Sequence, residues 1–335
     1  ALPKIEIVLA VDDEQFLGLA KLRAARRLVG RVAEACSAAG AMPAVKLTAV
    51  TSMRMMARRD PWTNILRTTI ACAAAALGGA DAICVVPFTM ALGKPDSFSR
   101  RVARNIQIVC QEESSLGRVA DPAGGSWYVE SLTNDLAAKA WTIFQAIEGK
   151  GGIVAALSSG WLQDEIGAIA EARAKAIATG KIELTGVSAF PLLADDGLKA
   201  EPWTRPVPAA GSAAAVTVRP LKMARLAEPF EALRDAADAH TAKTGKPFEV
   251  FLASIGQVID HNVRSTWIKN YLAAGGIAAA MTDGYPDAAS AAEAFKASGA
   301  SAACICSSDA VNALHAEATA RALKAAGAKL VLMAG

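Results

Sequence analysis

His261 is one of three histidines in 335 residues, and it follows a strand-like apolar run, "FEVFLASIG", at residues 248–256. An imidazole just past the C-terminal end of a strand stands where open α/β sheets bind ligands. It can ligate a metal or move a proton. Asp260 precedes it directly, but neighbours in an extended loop point apart, so this carboxylate is not placed to orient the ring. The expected setting of His261 is an exposed loop. His240 and His315 lie in helical patterns, "RDAADAH" and "NALHAEATA", and are expected on the surface.

Three other features are candidates for chemistry. Cys36, Cys72, Cys84, Cys110, Cys304 and Cys306 lie in apolar runs without CxxC or zinc-type Cys/His spacing. They are expected as buried core thiols in a reducing compartment. The loop "RVADPAGGSWYVESL" offers Gly124 and Gly125 as a phosphate cradle. It lacks the Gly-Lys-Ser/Thr that leads a phosphate-binding helix, so it is expected as a tight scaffold turn with Trp127 and Tyr128 packed. "MRMMARRD" at 53–60 concentrates methionine and arginine, which suits either a phosphate patch or a buried or partner-facing loop.

The elements that must position these residues alternate in type. "KIEIVLAV", "AVKLTAV" and "DAICVVPF" read as strands, each followed by an amphipathic helical pattern. Further helices are expected at "TNDLAAKAWTIFQAIEGKG" and at roughly 162–179. Residues 186–222, rich in Pro, Ala and Gly, read as a linker. A second series follows: strand "FEVFLAS", a helix near 264–274, strand "IAAAM", helix "AASAAEAFKAS", strand "AACICSS", helix "AVNALHAEATARALKAAG" and strand "KLVLMAG". Repeated strand–helix units imply parallel sheets. The first series is too short for a complete eight-unit barrel, which takes about 250 residues.

A net charge of +3, from 35 basic and 32 acidic residues without like-charge blocks, argues against nucleic-acid and membrane partners. No apolar run resembles a membrane span, and the chain starts on a strand pattern without a signal-peptide pattern. The expectation is a cytoplasmic protein.

"LAKLRAARRL", "DPWTNILRTTI" and above all "ARNIQIVCQEESSLGRVADPAGGSWYVESLTNDLAAKAW" resemble the methylmalonyl-CoA mutase family. The likeness resumes in "AEPFEALRDAAD" and in the C-terminal series, so it spans nearly the whole chain. It implies an α/β protein in which 1–185 form the second half of a (β/α)8 TIM barrel. The linker 186–222 then leads to a flavodoxin-like, doubly wound, cobalamin-binding-type domain at 223–335. The first half of the barrel is absent from this chain.

The family positions that do chemistry are altered. The resemblance puts His261 where the family has the lower axial ligand to cobalt, but Ile259 where a carboxylate supports that ligand and Arg264 where a glycine lets the cofactor tail pass. Ser307-Ser308-Asp309 replaces a Ser-x-Leu element, and Ala334-Gly335 replaces a glycine pair. In the barrel half, Thr48, Val50 and Met53 stand for His, Gln and Gly, while Cys84, Val86 and Met90 stand for His, Asn and Glu. Apolar side chains cannot supply the hydrogen bonds that hold an acyl-CoA.

These departures imply no catalytic residue, with His261 a vestigial cofactor position in a degenerate domain. On this reading the chain is a small, non-catalytic subunit of adenosylcobalamin-dependent methylmalonyl-CoA mutase. A homologous large subunit, its partner in a heterodimer, binds the cofactor and the acyl-CoA and interconverts methylmalonyl-CoA and succinyl-CoA. The alternatives are an active acyl-CoA mutase with divergent contacts and a reversible chaperone or regulator of such an enzyme.

Overall fold

A computed structural model describes residues 5–36, 45–194, 197–203 and 217–335. The chain divides into two compact units. The first comprises 1–178 and 197–226, and the second 179–196 and 227–335. The expected linker is thus shared between the units, and its residues 195–196 and 204–216 lie outside the described residues.

In the first unit, β1 (Glu6–Val11), β2 (Lys46–Thr51) and β3 (Ala82–Cys84) form a parallel sheet in chain order. The helices α1 (Gln15–Cys36) and α2 (Thr63–Leu77) connect them. Small residues let α1 approach closely: a Cβ on Gly18 would lie 2.7 Å from Val11 Cγ1. Val11, Leu22, Ala49, Met55, Met56, Ala71, Ala74, Ala75 and Val86 form the core. The third strand is shorter than its apolar run suggests. The Val86 N–H donates to the Thr51 hydroxyl at 2.8 Å instead of a neighbouring strand, and Pro87 has no N–H to offer.

The helix α3 (Ser97–Ile108) is capped by the Asp96 carboxylate and runs on as a π-helical turn at Val109–Glu113. The next helix, α4, begins at Trp127 and ends at Gly149, six residues ahead of the expected start at Thr133. Thr133 and Asn134 resemble an N-cap, but they sit inside the helix as acceptors for α1, from Arg23 at 3.2 Å and Arg27 at 2.5 Å. A short α5 (Ile153–Ser158) and α6 (Trp161–Ala178) complete this part.

The second unit contains α7 (Glu228–Thr244), β4 (Val250–Ser254), α8 (Val258–Ala274), α9 (Ala288–Ser298), β5 (Ala302–Cys306), α10 (Asp309–Ala325) and β6 (Leu330–Ala334). The strands are parallel in the order β4-β5-β6. The expected strand "IAAAM" is not a regular strand. The stretch instead runs beside β4 through bridges at Ala278 and Tyr285, with Val250 N–H donating to Ala278 O at 2.9 Å. Alternation along β4 and β5 feeds two cores. Val250, Leu252, Cys304 and Cys306 pack with Ile268 and Leu272 of α8, while Phe251, Ala253, Ala303 and Ile305 pack with Phe295 of α9 and Leu323 of α10.

Candidate functional site

Ser254 ends β4, and its register partner Cys306 ends β5. From β4 the chain first goes to the edge segment on one side and then to β5 on the other. The space above Ser254 and Cys306 is therefore the topological switch point, where such sheets bind ligands. Here it is occupied by the protein.

The cause is the early start of α8. It begins at Val258 and not near 264, because Gln257 and Asp260 form a capping box, with the Gln257 N–H donating to the Asp260 carboxylate at 3.0 Å. Asp260 is spent on that cap, and His261 becomes a first-turn helical residue. It is 1% exposed, which corrects the expectation of an exposed loop histidine. Its Nδ1 lies 3.4 Å from Ser265 Oγ, which in turn lies 3.0 Å from Ser254 Oγ. Its Nε2 is buried without a partner among the described residues. Gly284 packs on that edge of the ring so closely that a Cβ there would sit 2.7 Å from Nε2.

The two residues the resemblance sets against a cofactor tail are joined to one another. Arg264 Nη1 donates to Ser307 O at 2.5 Å, and Nη2 to Asp309 Oδ1 at 2.5 Å. Ser307 Oγ donates to Ile255 O at 2.7 Å, closing the gap between the strand ends from inside. Ile259, at the carboxylate position, is 85% exposed and apolar. A buried imidazole facing a glycine backbone, with an arginine across the crevice, does not fit axial ligation of a corrin. The Ser254–Ser265–His261 chain is likewise sealed from solvent. Beneath it, the hydrogen bond from Cys306 and burial push the Cys304 thiol up.

At the C-terminal end of the first sheet, Ala10, Val50 and Cys84 are register neighbours on one face. This row has almost no hydrogen-bonding capacity. Val86 belongs to the core, and Val50, Met53 and Met90 pack against it. In "MRMMARRD", Met55 and Met56 are buried, and Arg54 pairs with Asp12. The glycine loop is filled by its own helix: Gly125 N–H donates to the Glu130 carboxylate at 3.2 Å. Arg23 binds both Glu130, at 2.6 Å, and Asp121, at 2.9 Å. Those bonds, Arg23's first, hold the Glu130 carboxyl below the usual range. Trp127 is 92% exposed and Tyr128 is also exposed, so the expected packing of this pair is corrected. Tyr128 meets only the edge of Phe16, at 5.4 Å between ring centroids.

One residue has a role that its type alone did not signal. Asn64, fully buried, donates to Ala57 O at 2.7 Å and Phe88 O at 2.9 Å, and accepts from Arg67 at 2.6 Å. It ties the loop after β2 to the loop after β3. The only trace in the sequence is the motif "DPWTNILRTTI" itself. Cys72 and Cys110 are buried, and burial, reinforced by Cys110, pushes the Cys72 thiol up to about 12. Cys36 and Cys84 are exposed, against the expectation of six core thiols. His240 and His315 are exposed, as expected. Among the described residues, no group of three or more His, Cys, Asp or Glu could hold a metal, and no helix is long and apolar enough to cross a membrane.

The family model described as methylmalonyl-CoA mutase matches residues 1–261. A methylmalonyl-CoA mutase small subunit from Streptomyces virginiae is 49% identical over 335 residues, covering all of this chain and 53% of that protein. The corresponding small subunit from Propionibacterium freudenreichii subsp. shermanii is 39% identical over 336 residues, covering 100% of this chain and 50% of its own. A methylmalonyl-CoA mutase from Escherichia coli is 37% identical over 198 residues, 58% of this chain and 27% of that protein. The chain spans about half the length of the small subunits it matches. With scaffold motifs that run through both units, and with a match covering most of its length, the chain belongs to the methylmalonyl-CoA mutase family.

Proposed function

We propose that this chain is part of a methylmalonyl-CoA mutase small subunit, a non-catalytic partner of a homologous large subunit in a cytoplasmic heterodimer. The large subunit would hold adenosylcobalamin and the acyl-CoA and interconvert methylmalonyl-CoA and succinyl-CoA. The observation that carries this reading is the 49% identity to a small subunit along all 335 residues. The packing of Val50, Val86 and Met90 around one core, and the burial of His261, support it.

The finer architecture belongs to the same proposal. Helices pack on one face of the first sheet while Val8 on the other is 59% exposed. A parallel sheet ordinarily has both faces covered, so a half barrel whose inner face awaits further strands accounts for this arrangement. An edge segment, β4, β5 and β6 in that order, with helices on both faces, is the flavodoxin-like pattern short of one unit.

The test is an absorbance titration with hydroxocobalamin, on the chain alone and co-purified with a large homologue, followed by an isomerisation assay. The chain alone should leave the spectrum unchanged, and only the complex should bind and turn over. A histidine-ligated spectrum from the chain alone would overturn the reading in favour of an active mutase with divergent contacts. Weak, reversible association with a complete enzyme would point to a chaperone.

A further inference from the structure

The crevice above β4 and β5 holds more than the loss of a ligand site. Arg264 enters it from the second turn of α8, with its side chain one-quarter exposed. One arm of the guanidinium reaches the carbonyl of Ser307, the first residue after β5, which also accepts from Asn312 Nδ2 at 3.1 Å. The other arm reaches Asp309 in the first turn of α10. A cation near a helix N-terminus is disfavoured by the helix dipole, and a carboxylate in that first turn is favoured. Asp309 therefore neutralises the guanidinium at the one place where it would otherwise be repelled. Ser308 caps α10 through Val311 N–H at 3.4 Å.

We propose that Arg264 serves the second unit as an internal ligand: its guanidinium fills the switch-point crevice, ties α8 to the start of α10, and keeps α8 helical from Val258 with no small molecule in that space. The proposal deepens, and rests on, the reading that this chain does not itself take the cofactor. It assigns a residue to the work that a bound group would otherwise do. It also explains why His261 is retained inside the helix: with α8 held in this register, the imidazole is a core side chain, packed on Gly284 and joined to Ser265 and Ser254.

The two contacts of Arg264 are unequal. Asp309 is 93% exposed, so the ion pair is screened by solvent. The bond to Ser307 O is better shielded and is charge-assisted. Hydrogen exchange of residues 257–265 in the full chain reads the result. Arg264→Ala should speed exchange there about tenfold or more, as for loss of a charged hydrogen bond in a locally opening segment. Asp309→Asn should speed it only about two- to threefold.

Millimolar ethylguanidinium added to Arg264→Ala should restore most of the protection, and ethylammonium, with the charge but not the planar fork, should not. Unchanged exchange in Arg264→Ala overturns the proposal. So does an acceleration that ethylguanidinium fails to reverse, or that ethylammonium reverses equally. If Arg264→Ala does not fold, Arg264→Lys keeps stem and charge while losing the fork. Intermediate protection then supports the proposal, and wild-type protection overturns it. A chain that fails to join a large subunit but shows the rescue leaves this inference standing, so the two readings fail separately.

Discussion

In the first unit, Val8, Ala10 and Cys84 lie exposed on one face of a parallel sheet whose other face is buried beneath α1 and α2. In the second unit, β4 and β5 are buried along their full length on both faces. The strands of the first sheet carry Glu6, Lys46, Thr48 and Thr51, whereas Ser254 is the single polar residue in the three strands of the second, so composition marks part of the difference. Chain order marks the rest: in-order strands leave every crossover helix on one side, whereas a reversal of direction after β4 sends α8 to one face and α9 and α10 to the other. The doubly covered strands β4 and β5 form a closed core, while Leu330 and Met333 of the edge strand β6 are exposed. The singly covered sheet presents a face of a kind that in folded proteins is covered by something else.

The largest test of this contrast is truncation of side chains in the two sheets. Leu252→Ala in β4 removes a fully buried side chain and should cost about 2–5 kcal/mol. Val8→Ala on the open face of β1 should cost under about 1 kcal/mol. Urea unfolding of each variant measures both, and equal losses would erase the distinction. Next comes Gly284→Ala. Its φ of +100 and the approach to His261 make any side chain strained, for a loss of about 1–3 kcal/mol. The same denaturation series reads it.

Arg23→Ala, in the first unit, should cost about 1–2 kcal/mol, because its two carboxylate partners are at least partly in solvent. The pH dependence of that loop has a definite sign. The Glu130 carboxyl is held below its ordinary 4.5, so its contribution is full above that value and is lost as pH falls through the depressed pKa. Exchange at Gly125 N–H, corrected for intrinsic rate, should differ between wild type and Glu130→Gln at neutral pH and converge in acid. A gap that persists in acid would remove the carboxylate from the account.

The smallest energetic effect is the most direct probe of the open face. A thiol reagent should label Cys36 and Cys84 in the native chain, and Cys72 and Cys110 only on unfolding. On the proposed reading, assembly with further barrel strands or with a large subunit should then protect Cys84. Continued labelling at Cys84 would show that nothing covers that face.

Much of the fold was legible in the residues. Alternating apolar and amphipathic runs located nearly every strand and helix, and the run from Ala103 to Trp141 carried the family. The errors have local causes. "TND" at 133–135 resembles a helix start, but its polar groups serve Arg23 and Arg27 from a neighbouring helix. Trp127 and Tyr128 looked like core by type, and no pattern of spacing reveals that they lie on an outer helical face. Val50, Val86 and Met90 are apolar by type, and in the fold Val86 lies in a core against which Val50 and Met90 pack.

By itself, then, the sequence determined most of the elements that form, and the family, since these follow from residue type and period. Only the tertiary structure decided the fate of His261. A capping box formed by Gln257 and Asp260 starts α8 at Val258, and Arg264 closes over Ser307. With α8 starting there, the imidazole is 1% exposed and its Nδ1 lies 3.4 Å from Ser265 Oγ. The cap that starts α8 is local, but the groups that His261 then meets, Gly284 directly and Ser254 of β4 through Ser265, are brought to it by the fold.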